Sequence, residues 1–138
     1  MTFISFLFAR YSARSGLYGI ELLNEPQEAD VPLDTLKDYY KRGYQIIRKY
    51  SADTYVVLCQ LLGAKANAFV DLGTGFSNAI LDLHYYNVFG SPFGTLSVQE
   101  NIDYVNNTRR DEIESLNQDG NGLLTFIGTW ACTYLAKY

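Results

Sequence analysis

The sequence predicts an α/β fold, with parallel strands joined by crossover helices, in one domain over residues 1–138. Three observations carry this. The apolar period alternates along the chain between helix-like and strand-like stretches. The strand-like stretches are continuously apolar, the pattern of parallel strands covered on both faces. The amphipathic stretches between them are long enough to serve as crossovers.

In chain order, residues 2–15 predict a helix with Ile4, Phe8 and Tyr11 on one face. Residues 18–23 form a short apolar run closed by Pro26, which reads as a strand ending at a turn. Residues 33–50 predict a strong amphipathic helix, with Leu36, Tyr40, Gly43, Ile47 and Tyr50 as its stripe and Pro32 suited to the first turn. Residues 54–61, apolar or β-branched except for Gln60, give a second strand. Residues 63–77 are less regular, and residues 79–85 give a third strand. Residues 98–116 predict a helix with Val98, Ile102, Val105, Ile113 and Leu116 facing inward. A turn over Asp119-Gly120-Asn121-Gly122 leads to a fourth strand at 123–127. Neither an internal repeat nor a linker interrupts the series.

Composition narrows the function. With 48% hydrophobic and 19% charged residues, the chain is neither disordered nor fibrous. A net charge of −4 with scattered Lys and Arg argues against a nucleic-acid partner. No apolar stretch reaches the roughly 18 residues of a membrane span, so no membrane partner is expected. The apolar residues 3–9 lack a preceding basic region and a convincing export cleavage site. Twelve tyrosines suit a sugar pocket, where a ring covers the pyranose face and its hydroxyl bonds to it; most of them also fit as half-buried packing residues. Cys59 and Cys132 sit in apolar contexts and read as small buried hydrophobes, with a disulfide neither implied nor excluded. Asn106-Asn107-Thr108 matches a glycosylation acceptor, relevant only to a secreted chain. The stretch from Asn117 to Gly122 resembles the start of a calcium loop, but its twelfth position is Gly128 rather than a bidentate Glu, so calcium is rejected.

Polar groups gather at the carboxyl ends of the expected strands: Asn24-Glu25, Gln60, His84-Tyr85-Tyr86 and Gly128-Thr129-Trp130. That is where a (β/α) barrel places its reacting groups, and acid, amide, imidazole, phenol and indole together suit sugar chemistry. Each has a blander reading. Glu25 alone could be a surface or helix-capping acid, His84 a satisfied buried imidazole, and Trp130 plain core. Tyr85 and Tyr86 alternate faces, so one of them packs against helices in any case.

Four segments are similar to the family-five glycoside hydrolases, close to the plant glucan exo-1,3-β-glucosidase group: YGIELLNEP (18–26), PLDTLKDYYKRGYQIIRKY (32–50), LDLHYYNVF (81–89) and LTFIGTW (124–130). The resemblance implies a partial (β/α)8 TIM barrel covering about strands four to seven. It implies a retaining glycosidase acting on β-glucosidic bonds of polysaccharides, with β-glucan or an oligosaccharide as partner and no cofactor or metal. Family members act mostly outside the cell. Carried onto this chain, Glu25 is the general acid/base, Asn24 binds the sugar 2-hydroxyl, and His84 and Tyr86 flank the nucleophile. Trp130 joins the substrate-binding set. The family's nucleophile, the Glu of Gly-Glu-Trp, falls at Thr129, between the matching Gly128 and Trp130.

That substitution weakens the chemistry. A retaining glycosidase uses two carboxyl groups about 5 Å apart. A threonine hydroxyl is protonated at neutral pH, and the glycoside it would form leaves far worse than an ester. Nor does it lend negative charge to an oxocarbenium-like transition state. Without an anionic neighbour, Glu25 also loses one reason to hold its proton near neutrality. Strands one to three and eight have no counterpart, so the sheet is expected to show an apolar inner face and open edges prone to self-association, unless it flattens into a doubly wound form. Hydrolysis is therefore expected to be impaired. A non-catalytic carbohydrate binder and a non-functional gene fragment remain open alternatives; an open α/β binding domain is disfavoured because no phosphate-cradling Gly-rich loop follows a strand.

Overall fold

The computed structural model describes residues 3–117 and 123–132. Its elements are α1 (Phe3–Tyr11), β1 (Gly19–Glu21), α2 (Leu33–Arg48), β2 (Tyr55–Cys59), a 3-10 turn (Ala66–Phe69) running into α3 (Val70–Gly73), β3 (Ala79–Asn87), α4 (Val98–Tyr104), a π-helical turn (Val105–Arg109), α5 (Arg110–Leu116) and β4 (Leu124–Cys132). The turn expected over 119–122, and most of the calcium-like stretch, lie outside the described residues.

All four strands are parallel, in the spatial order β1-β2-β3-β4. Sequence order and spatial order coincide, so the chain winds steadily in one direction. A doubly wound sheet reverses its order at a switch point; a barrel does not. The architecture is thus part of a (β/α) barrel rather than a flattened open domain. A single parallel bridge between Gln27 and Leu62 extends the β1–β2 contact past the strand ends.

The core lies between the sheet and its helices. Leu36, Tyr40, Gly43 and Ile47 of α2 are buried as expected, whereas Tyr50 falls beyond the helix and is exposed. Gly43 lets α2 approach closely: an added Cβ would stand 2.7 Å from Leu22 Cδ1. Two tyrosines of α2 use their hydroxyls on the sheet, Tyr39 donating to the Leu22 carbonyl at 2.7 Å and Tyr40 to the Cys59 carbonyl at 2.6 Å. At its other end Arg48 donates to four backbone carbonyls, those of Ser51, Thr54, Ser77 and Asn78. These lie in the segments leading into β2 and β3, so one guanidinium ties the helix end to the starts of two strands.

Several expectations are corrected. Tyr11 is exposed, leaving Phe8 as the buried anchor of α1. In the last helical segment Ile113 and Leu116 face inward as expected, but Val98, Ile102 and Val105 are exposed and Asn101 is buried in their place. The π-helical turn widens the spiral, so no single 3.6-residue stripe runs from Val98 to Leu116. Its amino end is fixed by a capping box, in which Ser97 and Glu100 bond each other's backbone N–H. The central strands β2 and β3 are largely covered, but β4 leaves Leu124, Phe126, Ile127 and Trp130 exposed along the sheet edge. Cys59 is buried, Cys132 is exposed, and both are free thiols. The inner face is not uniformly apolar either, because Glu21, Cys59, Asp82 and His84 all project from it.

Candidate active site at the carboxyl ends of the strands

Glu25 follows β1 at a backbone φ of 47°, in the left-handed region that side chains other than glycine seldom adopt. The neighbouring strand helps to hold it there, since the Glu25 N–H donates to Cys59 Sγ at 3.3 Å. Outliers of this kind persist where surrounding structure over-determines them, often at reacting groups.

The Glu25 side chain turns toward β3. Its Oε1 lies 2.8 Å from His84 Nδ1 and accepts a short hydrogen bond from the Tyr86 hydroxyl. His84 and Tyr86 are two residues apart on one strand, so both point to the same face. Tyr85, between them, points the other way and is buried beneath Arg109, whose guanidinium carbon sits 4.2 Å from the ring centroid. The π-helical turn delivers Arg109 to that position.

β3 and β4 change register between Leu83 and His84: Leu83 pairs with Ile127 and His84 with Thr129. Gly128 is therefore the extra residue of a β-bulge. Its N–H is taken by Asp82 Oδ1 at 2.8 Å, and a Cβ at this position would lie 2.4 Å from that oxygen. Asp82 Oδ2 in turn lies 3.3 Å from His84 Nε2. A continuous polar line thus runs from Gly128 through Asp82 and His84 to Glu25. The bulge also sets which way the next two residues face. Thr129 shares the face of His84, and its side chain hydrogen-bonds the Tyr86 phenol.

Electrostatics follow from these contacts. The Tyr86 hydrogen bond, and then the one from His84, hold the Glu25 carboxyl below its ordinary range. Burial opposes charge on His84, but the bonds and charges of Glu25 and Asp82 outweigh it and raise the imidazole. Glu21 is raised by burial and by the nearby Asp82 charge, while burial lifts the Cys59 thiol to about 12. The Tyr86 phenol is raised because it donates its hydrogen bond to the Glu25 carboxylate.

The structure brings Glu25, His84, Tyr86 and Thr129 together. Asn24 is exposed beside Glu25. Trp130 corrects the expectation: it pairs with Tyr85, on the opposite face, and lines a separate cavity with Arg109 and Ile113. His84, Tyr86 and Thr129 also lie within their strands rather than past the ends, because β3 runs to Asn87 and β4 to Cys132.

A cleft of 960 Å³ opens beside Glu25, lined in part by Gln60, His84, Tyr86 and Phe89. Two of these were not singled out as binding residues from the sequence. Gln60 gives its amide to the His84 carbonyl at 3.0 Å, and its buried Oε1 has no partner among the described residues. Phe89 is 73% exposed and leans on Tyr86 with ring centroids 5.9 Å apart. A polar residue at a strand end and an aromatic soon after His84 were the available signals. Cys59, read as a plain hydrophobe, is in fact a hydrogen-bond partner of the site.

Several known proteins resemble most of this chain. The chain is 30% identical over 112 residues to a glucan 1,3-beta-glucosidase of Yarrowia lipolytica, which covers 78% of this chain and 27% of that protein. It is 27% identical over 128 residues to a probable glucan 1,3-beta-glucosidase of Arthroderma benhamiae, covering 90% and 29% respectively. A glucan 1,3-beta-glucosidase of Schwanniomyces occidentalis is 33% identical over 87 residues, 61% of this chain and 20% of its own. The chain thus spans less than a third of the curated relatives it matches. The model of the cellulase family, glycosyl hydrolase family 5, matches residues 1–136, and the chain belongs to that family.

Proposed function

We propose that this chain carries the acid/base side of a cleft for β-glucosidic bonds of glucans, with hydrolysis impaired at the nucleophile position. The supporting observation is Glu25 Oε1, held at once by His84 Nδ1 and the Tyr86 hydroxyl. Two donors fix one oxygen, and the other, which makes no hydrogen bond among the described residues, can face a glycosidic oxygen or a water. Glu25 is the proton-transfer group, His84 and Tyr86 position it, and Asn24 binds the sugar. Thr129 occupies the place from which the second carboxylate would attack. A hydroxyl there offers no charge to the transition state and no good leaving group. The relatives' names supply the substrate class, and the family match over residues 1–136 includes this cleft.

The test uses a β-glucoside that carries a 2-fluoro group and a good leaving group, which traps glycosyl-enzyme esters. The expected outcome is no covalent adduct on the wild-type chain. Thr129→Glu, supplied with the remaining strands from a relative, gains an adduct at position 129. An adduct on wild-type Thr129, or none on the variant, counts against the assignment.

A second reading, a sugar binder without turnover, is favoured by Gln60 Oε1, without a partner among the described residues, and the exposed Phe89 ring in the same cleft. Saturable binding of a β-glucan oligosaccharide that Gln60→Ala weakens about tenfold, with no product formed, would support it. No binding at millimolar oligosaccharide would remove it.

A further inference from the structure

Apart from the sugar chemistry, one cluster on the inner face of the sheet has the composition of a metal-binding site. Glu21 on β1, Cys59 on β2 and His84 on β3 each bring one donor atom within 4.8 Å of the others. Cys59 and His84 are buried, while Glu21 is exposed and gives the cluster an entry path. Cys59 Sγ and His84 Nε2 are 3.9 Å apart. Around a tetrahedral zinc, sulfur and nitrogen ligands sit about 3.5 Å from each other. A contraction of a few tenths of an ångström closes that edge.

The surroundings favour a cation. Asp82 Oδ2 lies 3.3 Å from the same His84 nitrogen, so the cluster is lined by carboxylates. The other ring nitrogen, Nδ1, lies 2.8 Å from Glu25 Oε1, the arrangement in which a carboxylate orients a metal-ligating imidazole. Cys59 Sγ already accepts the Glu25 N–H, a bond that stabilises a thiolate. The three ligands come from three adjacent strands, which hold them more rigidly than loops would.

We propose that Glu21, Cys59 and His84 form a binding site for a thiophilic divalent cation of the zinc class, with water in the fourth position. On binding, the ion displaces the Cys59 thiol proton and any proton on His84 Nε2, both released to solvent. His84 then keeps its remaining proton on Nδ1 and donates it to Glu25. This assignment stands whether or not the cleft cleaves glucans, since its readout is spectroscopic.

The experiment is titration of the reduced, chelator-treated full chain with Co2+. The expected result is saturable uptake of one ion per chain, with a thiolate-to-cobalt charge-transfer band in the near ultraviolet. Cys59→Ser removes the band and Cys132→Ser leaves it. Because a change at a buried thiol can unfold the chain, Glu21→Gln at the exposed position provides a second arm. It weakens Co2+ binding about tenfold or more while the circular dichroism spectrum stays unchanged. Glu25→Gln, which removes the carboxylate that orients His84 through Nδ1, weakens it by about the same factor. The proposal is overturned by a folded chain that shows no band. It is equally overturned by a band that follows Cys132 instead of Cys59, or by affinity unmoved by Glu21→Gln.

Discussion

Glu25 is the residue on which the site turns, and its contacts define a pH window. Its carboxyl titrates below the ordinary 4.5, chiefly because Tyr86 and His84 donate to it. That contribution to stability is complete above 4.5 and fades as pH falls through the lowered folded value. His84 titrates above the ordinary 6.5, so its contribution is complete below 6.5 and fades as pH rises through the raised folded value. Stability from the pair is therefore expected to plateau between the two ordinary values, with loss on both sides. Thermal melts across pH check this. His84→Gln should flatten the alkaline limb, and Tyr86→Phe should move the acid limb upward; unchanged limbs in both variants would refute the coupling. At this scale the sequence was informative about Glu25, His84 and Tyr86, because motif residues carry their chemistry with them. It misled about Trp130, since a one-residue bulge decides which face follows Gly128 and no local pattern marks that bulge.

Among the elements, α2 and β4 show how much rests on single side chains. Arg48 donates to four backbone carbonyls, of which the Asn78 carbonyl also accepts the Val56 N–H of β2. Arg48→Ala is expected to lower stability by about 2–3 kcal/mol in urea unfolding, with Arg48→Lys recovering little because an ammonium cannot span the same fork. At the bulge, Gly128→Ala places a methyl group against the Asp82 carboxylate, which must move and release the Gly128 N–H. A loss of about 1–3 kcal/mol is expected, together with a shifted His84 titration by NMR. A surface alanine elsewhere on β4 should do neither. The amphipathic pattern of α2 was legible because one uninterrupted helix keeps one phase. The stripe from Val98 to Leu116 was not, because the π-helical turn resets the phase midway and leaves Val98, Ile102 and Val105 in solvent.

For the whole molecule, the strand count and parallel direction follow from the alternation of apolar periods, a property of the chain as a whole, whereas the winding order was implied only by the family resemblance and is set by the structure. The polar inner face was harder to foresee. Glu21, Asp82 and Cys59 are scattered through apolar runs, and only strand pairing brings them side by side. The exposed Leu124, Phe126 and Ile127 of β4 lie along an edge whose outer backbone groups have no strand partner among the described residues. Such an edge is expected to drive concentration-dependent association in sedimentation. Phe126→Lys should shift that association to higher concentration, and a chain monomeric at all concentrations would contradict the expectation. The line from Gly128 through Asp82 and His84 to Glu25 has a consequence of its own. It joins the outermost strand and the acid through one chain of hydrogen bonds, so whatever docks against that margin of the sheet can change the basicity of a carboxylate three strands away without ever reaching it.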